Sequence, residues 1–214
     1  MQFTKEQFID IFVKYNTGVF PVQIILYILG LTAVYFSLRK SSKSDKFISG
    51  ILVFFWLWIG VVYNFIFFSS INKAAYVFGA LFIAQSGIFI YCGVIKNNLR
   101  FNYINNISSI IGVVLIAYGL LFYPLLGMFL GHVYPAQPTF GLPCPTTIFT
   151  FGMLLWAEPK SPRYIFIIPA VWTIIGFFAA LNFGIYEDIG LLISGVLGVV
   201  LFLSKQKKVS GVTG

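Results

Sequence analysis

Residues 131–147 read GHVYPAQPTFGLPCPTT, and the apolar run behind them stops at Ala157, before EPKSP. The segment holds the only histidine, one of two cysteines and four of nine prolines, and it carries no charge. Residues 146–157 make an apolar helix of 12 residues. That is about 18 Å of helix, against a hydrocarbon core about 30 Å thick. The mismatch predicts that the preceding loop dips inward as a re-entrant segment, which is tolerated only where irregular backbone is buried in protein or lines a wet cavity. The competing reading is a short helix tilted in a thinned patch of bilayer, or extended by helical residues 140–142.

The rest of the chain sets the context for that loop. Of 214 residues, 59% are hydrophobic and only 9% charged, which excludes a water-soluble fold. Apolar runs at 18–38, 47–68, 74–95, 107–130, 146–157, 164–183 and 189–203 predict seven transmembrane helices, with a basic tail at 204–214. Their continuity is unlike the alternation of a membrane β-barrel. The expected fold is therefore an all-α integral membrane protein of seven spans, with an amino-terminal interfacial helix and a re-entrant loop before a short fifth span. Basic residues favour the cytoplasmic side. With the amino terminus outside, eleven of fourteen fall inside: Arg39, Lys40, Lys43, Lys46, Lys96, Arg100, Lys160, Arg163, Lys205, Lys207 and Lys208. This predicts an inner (plasma) membrane protein with a cytoplasmic carboxyl terminus. The net charge of +8 is then a collar for anionic lipid, with no nucleic-acid partner expected.

Residues 1–17 are expected to form an amphipathic helix on the outer leaflet. Thr4 and Gln7 fit a capping box, Phe3 and Phe8 a hydrophobic staple, and Asp10 and Lys14 an i, i+4 pair. Phe8, Ile9, Phe12 and Tyr15 form the apolar face. Asn16, Thr17 and Gly18 are expected to end this helix, leaving Pro21 in the opening turn of the first span. Small residues four apart, such as Ala75 with Gly79 and Gly176 with Ala180, predict close helix packing. Pro124 and Pro169 are expected to kink their helices.

The alternation of spans puts residues 131–144 on the outer side, with Pro145 in the first turn of the short helix and the positive end of its dipole aimed into the membrane. Uncharged polar residues gather at the same level: Gln23, Tyr63, Asn64, Asn72, Tyr118, Tyr123 and Asn182, with Gln85 deeper. Together with His132, Tyr134, Thr139, Cys144, Thr146 and Thr147, they outline an outward-facing pocket. Its expected ligand is a small polar or anionic molecule, held in part by backbone N–H groups of the short helix. For each polar residue, ordinary interhelical hydrogen bonding is the competing role.

Other chemistries find less support. Cys144 at a helix amino terminus, with His132 as base, would suit a membrane-embedded enzyme, but buried cysteines are usually inert. One His and one Cys are too few for a zinc site. A copper site completed by Met128 or Met153 matches no motif, and no metal or cofactor is expected. Cys92 and Cys144 lie at opposite membrane faces, which excludes a disulfide. Glu6, Asp10, Asp45, Glu158, Glu187 and Asp188 all fall at or beyond span ends, which argues against an ion-coupled pump. A non-catalytic subunit of a membrane complex is the remaining alternative.

Three stretches, FTKEQFIDIFVKYN at 3–16, WLWIGVVYNFIFFSSINKAAYVFGALF at 56–82 and GHVYPAQPTFGLPCPTTIFTFGMLLW at 131–156, give the chain a wider context. Together they resemble a family of small bacterial multi-pass membrane proteins known only as a domain of unknown function. In the family pattern His often stands at the place of Asn64 and Pro at that of Lys73, and this chain departs at both. The resemblance implies membrane location and no assigned activity. A His pair across the second span and the outer loop, which such a pattern would supply, is not available with Asn64 in place.

Overall fold

The protein was analysed as a computed structural model, which describes residues 3–41, 43–158 and 160–212. Eight helices carry the fold: α1 (Lys5–Val19), α2 (Val22–Leu38), α3 (Ser44–Ser70), α4 (Ala75–Ile95), α5 (Ile107–Phe129), α6 (Pro143–Leu155), α7 (Arg163–Phe183) and α8 (Ile189–Val212). Among the described residues there is no β-strand, only isolated bridges. By length and composition, five helices can cross a membrane: α3, α4, α5, α7, and α8 with the turn before it. A sixth is added if α1 and α2 count as one broken span. The helix α6 is apolar but shorter.

Local signals explain the element boundaries. The Thr4 hydroxyl accepts from Gln7 N and the Gln7 side chain accepts from Thr4 N, closing the capping box at the start of α1. Phe3 stacks on Phe8 as the staple, and Lys14 pairs with Asp10 at 2.8 Å. Asn106 caps α5 through Ser109 N. Gly184, at φ +73, ends α7 in the left-handed conformation that costs glycine nothing. Wider π-helical turns interrupt α3 at Ile59–Phe67, α4 at Ile90–Ile95 and α5 at Tyr118–Phe122. The last precedes Pro124, whose missing N–H an interior α-turn would require.

Three features differ from the sequence reading. Asn16, Thr17 and Gly18 do not end α1; it continues to Val19, and the chain turns by 87° at Phe20 and Pro21. Asn16 stays helical because its side chain bonds across to the 131–142 connector and not to its own backbone. Pro169 lies near the start of α7, after a 3₁₀ turn at Arg163–Phe166, where a missing N–H is tolerated. Much of the tail at 204–214 is helical, as α8 runs to Val212.

The short helix α6 is the axis of the molecule. Every residue from Pro143 to Leu155 except Cys144 is buried, among α5, α7, α8 and α3. Gly112 of α5 and Gly152 of α6 let the backbones meet: a Cβ on either would lie within 2.9 Å of the other's carbonyl oxygen. Trp156 Nε1 donates to Ser109 O and Trp56 Nε1 to Thr150 Oγ1, so the indoles tie α6 to α5 and α3. A helix sheathed on all sides has no lipid-facing stripe to satisfy. Its length is therefore set by the helices around it, and 13 residues suffice.

The connector before α6 descends into the bundle. Phe140 is fully buried and packs against Gly30, eight residues into α2, or about 12 Å below its start. Tyr15 OH donates to Gly141 O, and Trp58 Nε1 donates to Tyr15 OH. At the other end of the bundle, Lys40 pairs with Glu158 at 3.5 Å, Lys205 Nζ donates to Ala157 O and Asp45 accepts from Phe101 N. Most of the basic residues flank this end. The helix α1, turned flat, crosses the opposite end, with Phe3 and Phe8 stacked on Phe183.

Candidate functional site

Beneath α1 lies a cavity of about 260 Å³. Its walls are mostly aromatic and aliphatic, with Phe8, Phe12, Phe68 and Phe183 on the α1 side and Ile175 and Ala179 from α7. Polar groups gather around the amino end of α6: Asp188, Cys144, Tyr123, Tyr63, Asn72 and the Trp172 indole. This end of α6 sits halfway down α5, because Pro145 O approaches Gly119 so closely that a Cβ there would lie 2.6 Å away.

Asp188 anchors the polar end. It is 5% exposed, and its Oδ1 accepts from Tyr123 OH at 2.6 Å. The Cys144 side chain interacts with the same carboxyl group. The Trp172 indole N–H is buried without an oxygen or nitrogen partner, beside the Cys144 sulfur across Gly176. An indole N–H set against a weak sulfur acceptor, and a partly engaged carboxyl group, on the wall of an apolar cavity form a site with spare hydrogen-bonding capacity.

Glu187, the neighbouring acid, points away from the cavity lining. It is completely buried and its Oε1 meets His132 Nδ1 at 2.8 Å, while Oε2 has no partner. Its carboxylate fits only because residue 127 is glycine, where a Cβ would lie 2.9 Å from Oε1. Tyr118 OH donates to Glu187 O and holds the α7–α8 corner against α5.

Glu187 and Asp188 stand at a span end, as their sequence positions suggested, yet they are buried there and not exposed to solvent. They occupy a 3₁₀ turn that opens the apolar segment Tyr186–Lys207. In the sequence YEDIGLLIS they read as an ordinary loop. The available signal was the lack of any basic residue between Arg163 and Lys205, which left both acids without a nearby countercharge.

The residues expected to form the pocket divide into two groups. Tyr63, Asn72, Tyr123, Cys144 and Asn182 line the cavity. Asn72 Oδ1 also accepts from Ala74 N in the turn before α4. His132 lies behind it on Glu187. Asn16, missed as a functional or structural centre, gathers Gln23 and Thr139: its Oδ1 accepts from both side chains and its Nδ2 donates to Pro135 O and Gln137 O. Gln23 and Thr139 thus serve to hold the connector. Thr146 Oγ1 accepts from Gly141 N, and Tyr134 OH reaches Asn16 O at 3.4 Å. Thr147 is buried with its hydroxyl unpaired and does not line the cavity. Asn64 donates to Ile59 O within its own π-helical turn, leaving Oδ1 unpaired, and Gln85 donates to Ile165 O.

The geometry bears on the other chemistries. His132 and Cys144 are engaged by different acids, so the imidazole is not positioned as a base for the thiol. Among the described residues, no three His, Cys, Asp or Glu side chains converge as metal ligands. Cys92 and Cys144 are both free thiols. The helix α6 offers few backbone donors: Pro143 and Pro145 have no N–H and Thr146 N bonds to Leu142 O. With Asp188 beside that terminus, the site is poorly suited to an anion.

Residues 5–211 match the profile of a family of unknown function, DUF6064. The chain belongs to this family. Membership spans nearly every element of the bundle, including the cavity and the acids at the α7–α8 corner. Comparison with curated proteins gave no match. Comparison with solved structures gave none either.

Proposed function

We propose that this DUF6064 protein is a multi-pass inner (plasma) membrane protein, amino terminus outside, whose cavity binds a small, mainly apolar molecule carrying one cationic or hydrogen-bond-donating group. The observation that carries the reading is the composition of the cavity: aromatic and aliphatic walls with Asp188 at one end. Ligand sites are commonly apolar with a few placed polar groups, and a buried acid in a membrane bundle marks a pathway or ligand site by default. The basic end of the bundle supports the orientation, since basic residues stay cytoplasmic. The cavity then opens toward the outer side, under α1. Compared with the anion expected from the sequence, an ammonium or hydroxyl head matches the carboxylate and the scarcity of N–H donors at α6.

Three probes with one apolar body separate these ligand classes: benzylamine, benzyl alcohol and benzoate. Thermal unfolding of the purified protein in detergent is expected to rise most with benzylamine, less with the alcohol and least with benzoate. The amine should bind about tenfold or more tighter than benzoate, corresponding to roughly 1.4 kcal/mol. Ala179→Phe, which places a ring in the cavity, should remove the stabilisation. Equal stabilisation by benzoate, or an unchanged response in Ala179→Phe, would overturn the assignment.

A further inference from the structure

Glu187 is not needed to shape the cavity, yet it is a buried acid with one oxygen left unpaired. A carboxylate oxygen without a partner in low dielectric is costly, and the cost is relieved by a proton or a water molecule. Its other oxygen is held by His132, whose side chain is 12% exposed, so the ring bridges a fully buried acid and the surface at the connector end. On the inner side, Glu187 is the sequence neighbour of Asp188 and interacts with it electrostatically. Surface, imidazole and Glu187 are thus in contact, while the two acids share no hydrogen bond, so a water on the unpaired Oε2 is the step between Glu187 and the cavity acid.

We propose that His132, Glu187 and Asp188 form a proton path between the surface and the cavity, so that a cationic ligand enters in exchange for a proton. The inference rests on the cation-binding reading of the cavity and adds a coupling to it. In the empty site Asp188 carries the proton. An ammonium group entering the cavity pairs with the Asp188 carboxylate, and the released proton passes to Glu187 Oε2. Glu187, protonated at Oε1 in the empty site, passes that proton to His132 Nδ1 as the new one arrives at Oε2, and the ring gives one up to water from Nε2. One positive charge enters and one leaves, with no change of oxidation state. The buried pair thus avoids holding an uncompensated charge, which in a bundle interior costs several kcal/mol.

The other titratable groups facing this corner are Tyr118 and Tyr123 from α5, Tyr63 from α3, Cys144 from α6 and Lys5 from α1. The lysine ammonium would lie 3.0 Å from a Cβ at Gly184, beside the α7–α8 corner. It offers a second charge near the path, so it serves as the control.

The test follows benzylamine binding in weakly buffered detergent solution with a pH indicator. Binding is expected to release about one proton per amine, with affinity falling as pH is lowered by up to about tenfold per unit, because protons compete for Asp188. His132→Gln should keep the equilibrium affinity but slow proton release roughly a hundredfold, the scale of a lost acid–base relay. Lys5→Gln should leave that rate unchanged. Binding without proton release overturns the exchange while leaving the cavity assignment intact. Release as fast in His132→Gln as in the parent, or an equal slowing in Lys5→Gln, overturns the route. Failure of benzylamine to bind removes the cavity assignment and this inference together.

Discussion

At Gly127 the absence of a single methyl group lets a carboxylate lie inside the bundle. In Gly127→Ala the new Cβ meets Glu187 Oε1, and the His132 pair must open or α5 must move. The expected loss is about 1–3 kcal/mol, typical of overpacking. Gly50→Ala, with nothing within 4 Å of the added atom, should be near neutral, and thermal unfolding of the two variants in one detergent checks the contrast. Asn16 makes the complementary case, because its amide accepts from Gln23 and Thr139 and donates to two connector carbonyls. Asn16→Ala would leave buried polar groups unsatisfied at about 1–3 kcal/mol each. Proteolysis within residues 131–142 should accelerate in that variant, and unchanged cleavage would show that the connector is held by other contacts.

Among the elements, α6 shows most clearly what a sequence can and cannot convey. Its apolar character, its brevity and the proline-rich entry were legible because they depend on residues adjacent in the chain. Its central position was not, since an apolar run reads alike whether lipid or protein surrounds it. The Gly112 and Gly152 contact illustrates the same limit: each glycine looks ordinary alone, and their pairing across 40 residues exists only in the packed bundle. The same reasoning covers the site. Tyr63, Asn72 and Cys144 were legible as polar marks in apolar runs, whereas Glu187 and Asp188 lay where loops normally expose acids. Gly152→Ala should loosen the α5–α6 contact, since its Cβ would lie 2.7 Å from the Ile116 side chain and 2.8 Å from Gly112 O. Gly87→Ala, in open space on α4, should not. The difference is expected at about 1–3 kcal/mol in unfolding measurements.

For the whole molecule, the proposed orientation makes a direct prediction. In a background with Cys92 and Cys144 replaced by serine, a cysteine at Val133, which is 58% exposed, should react with a membrane-impermeant maleimide in intact cells. A cysteine at Lys96 should react only after permeabilisation, and the reverse pattern would invert the topology and the direction of proton release. The enclosed position of α6 also constrains how the bundle is made. While the ribosome is still adding residues beyond Lys160, α6 has neither α7 nor α8 beside it, and a helix of 13 residues cannot match the bilayer by itself. In the proposed membrane setting, the nascent chain must therefore keep this segment sheltered, in the translocation machinery or against α3 and α5, until its last two long helices arrive to close the wall around it.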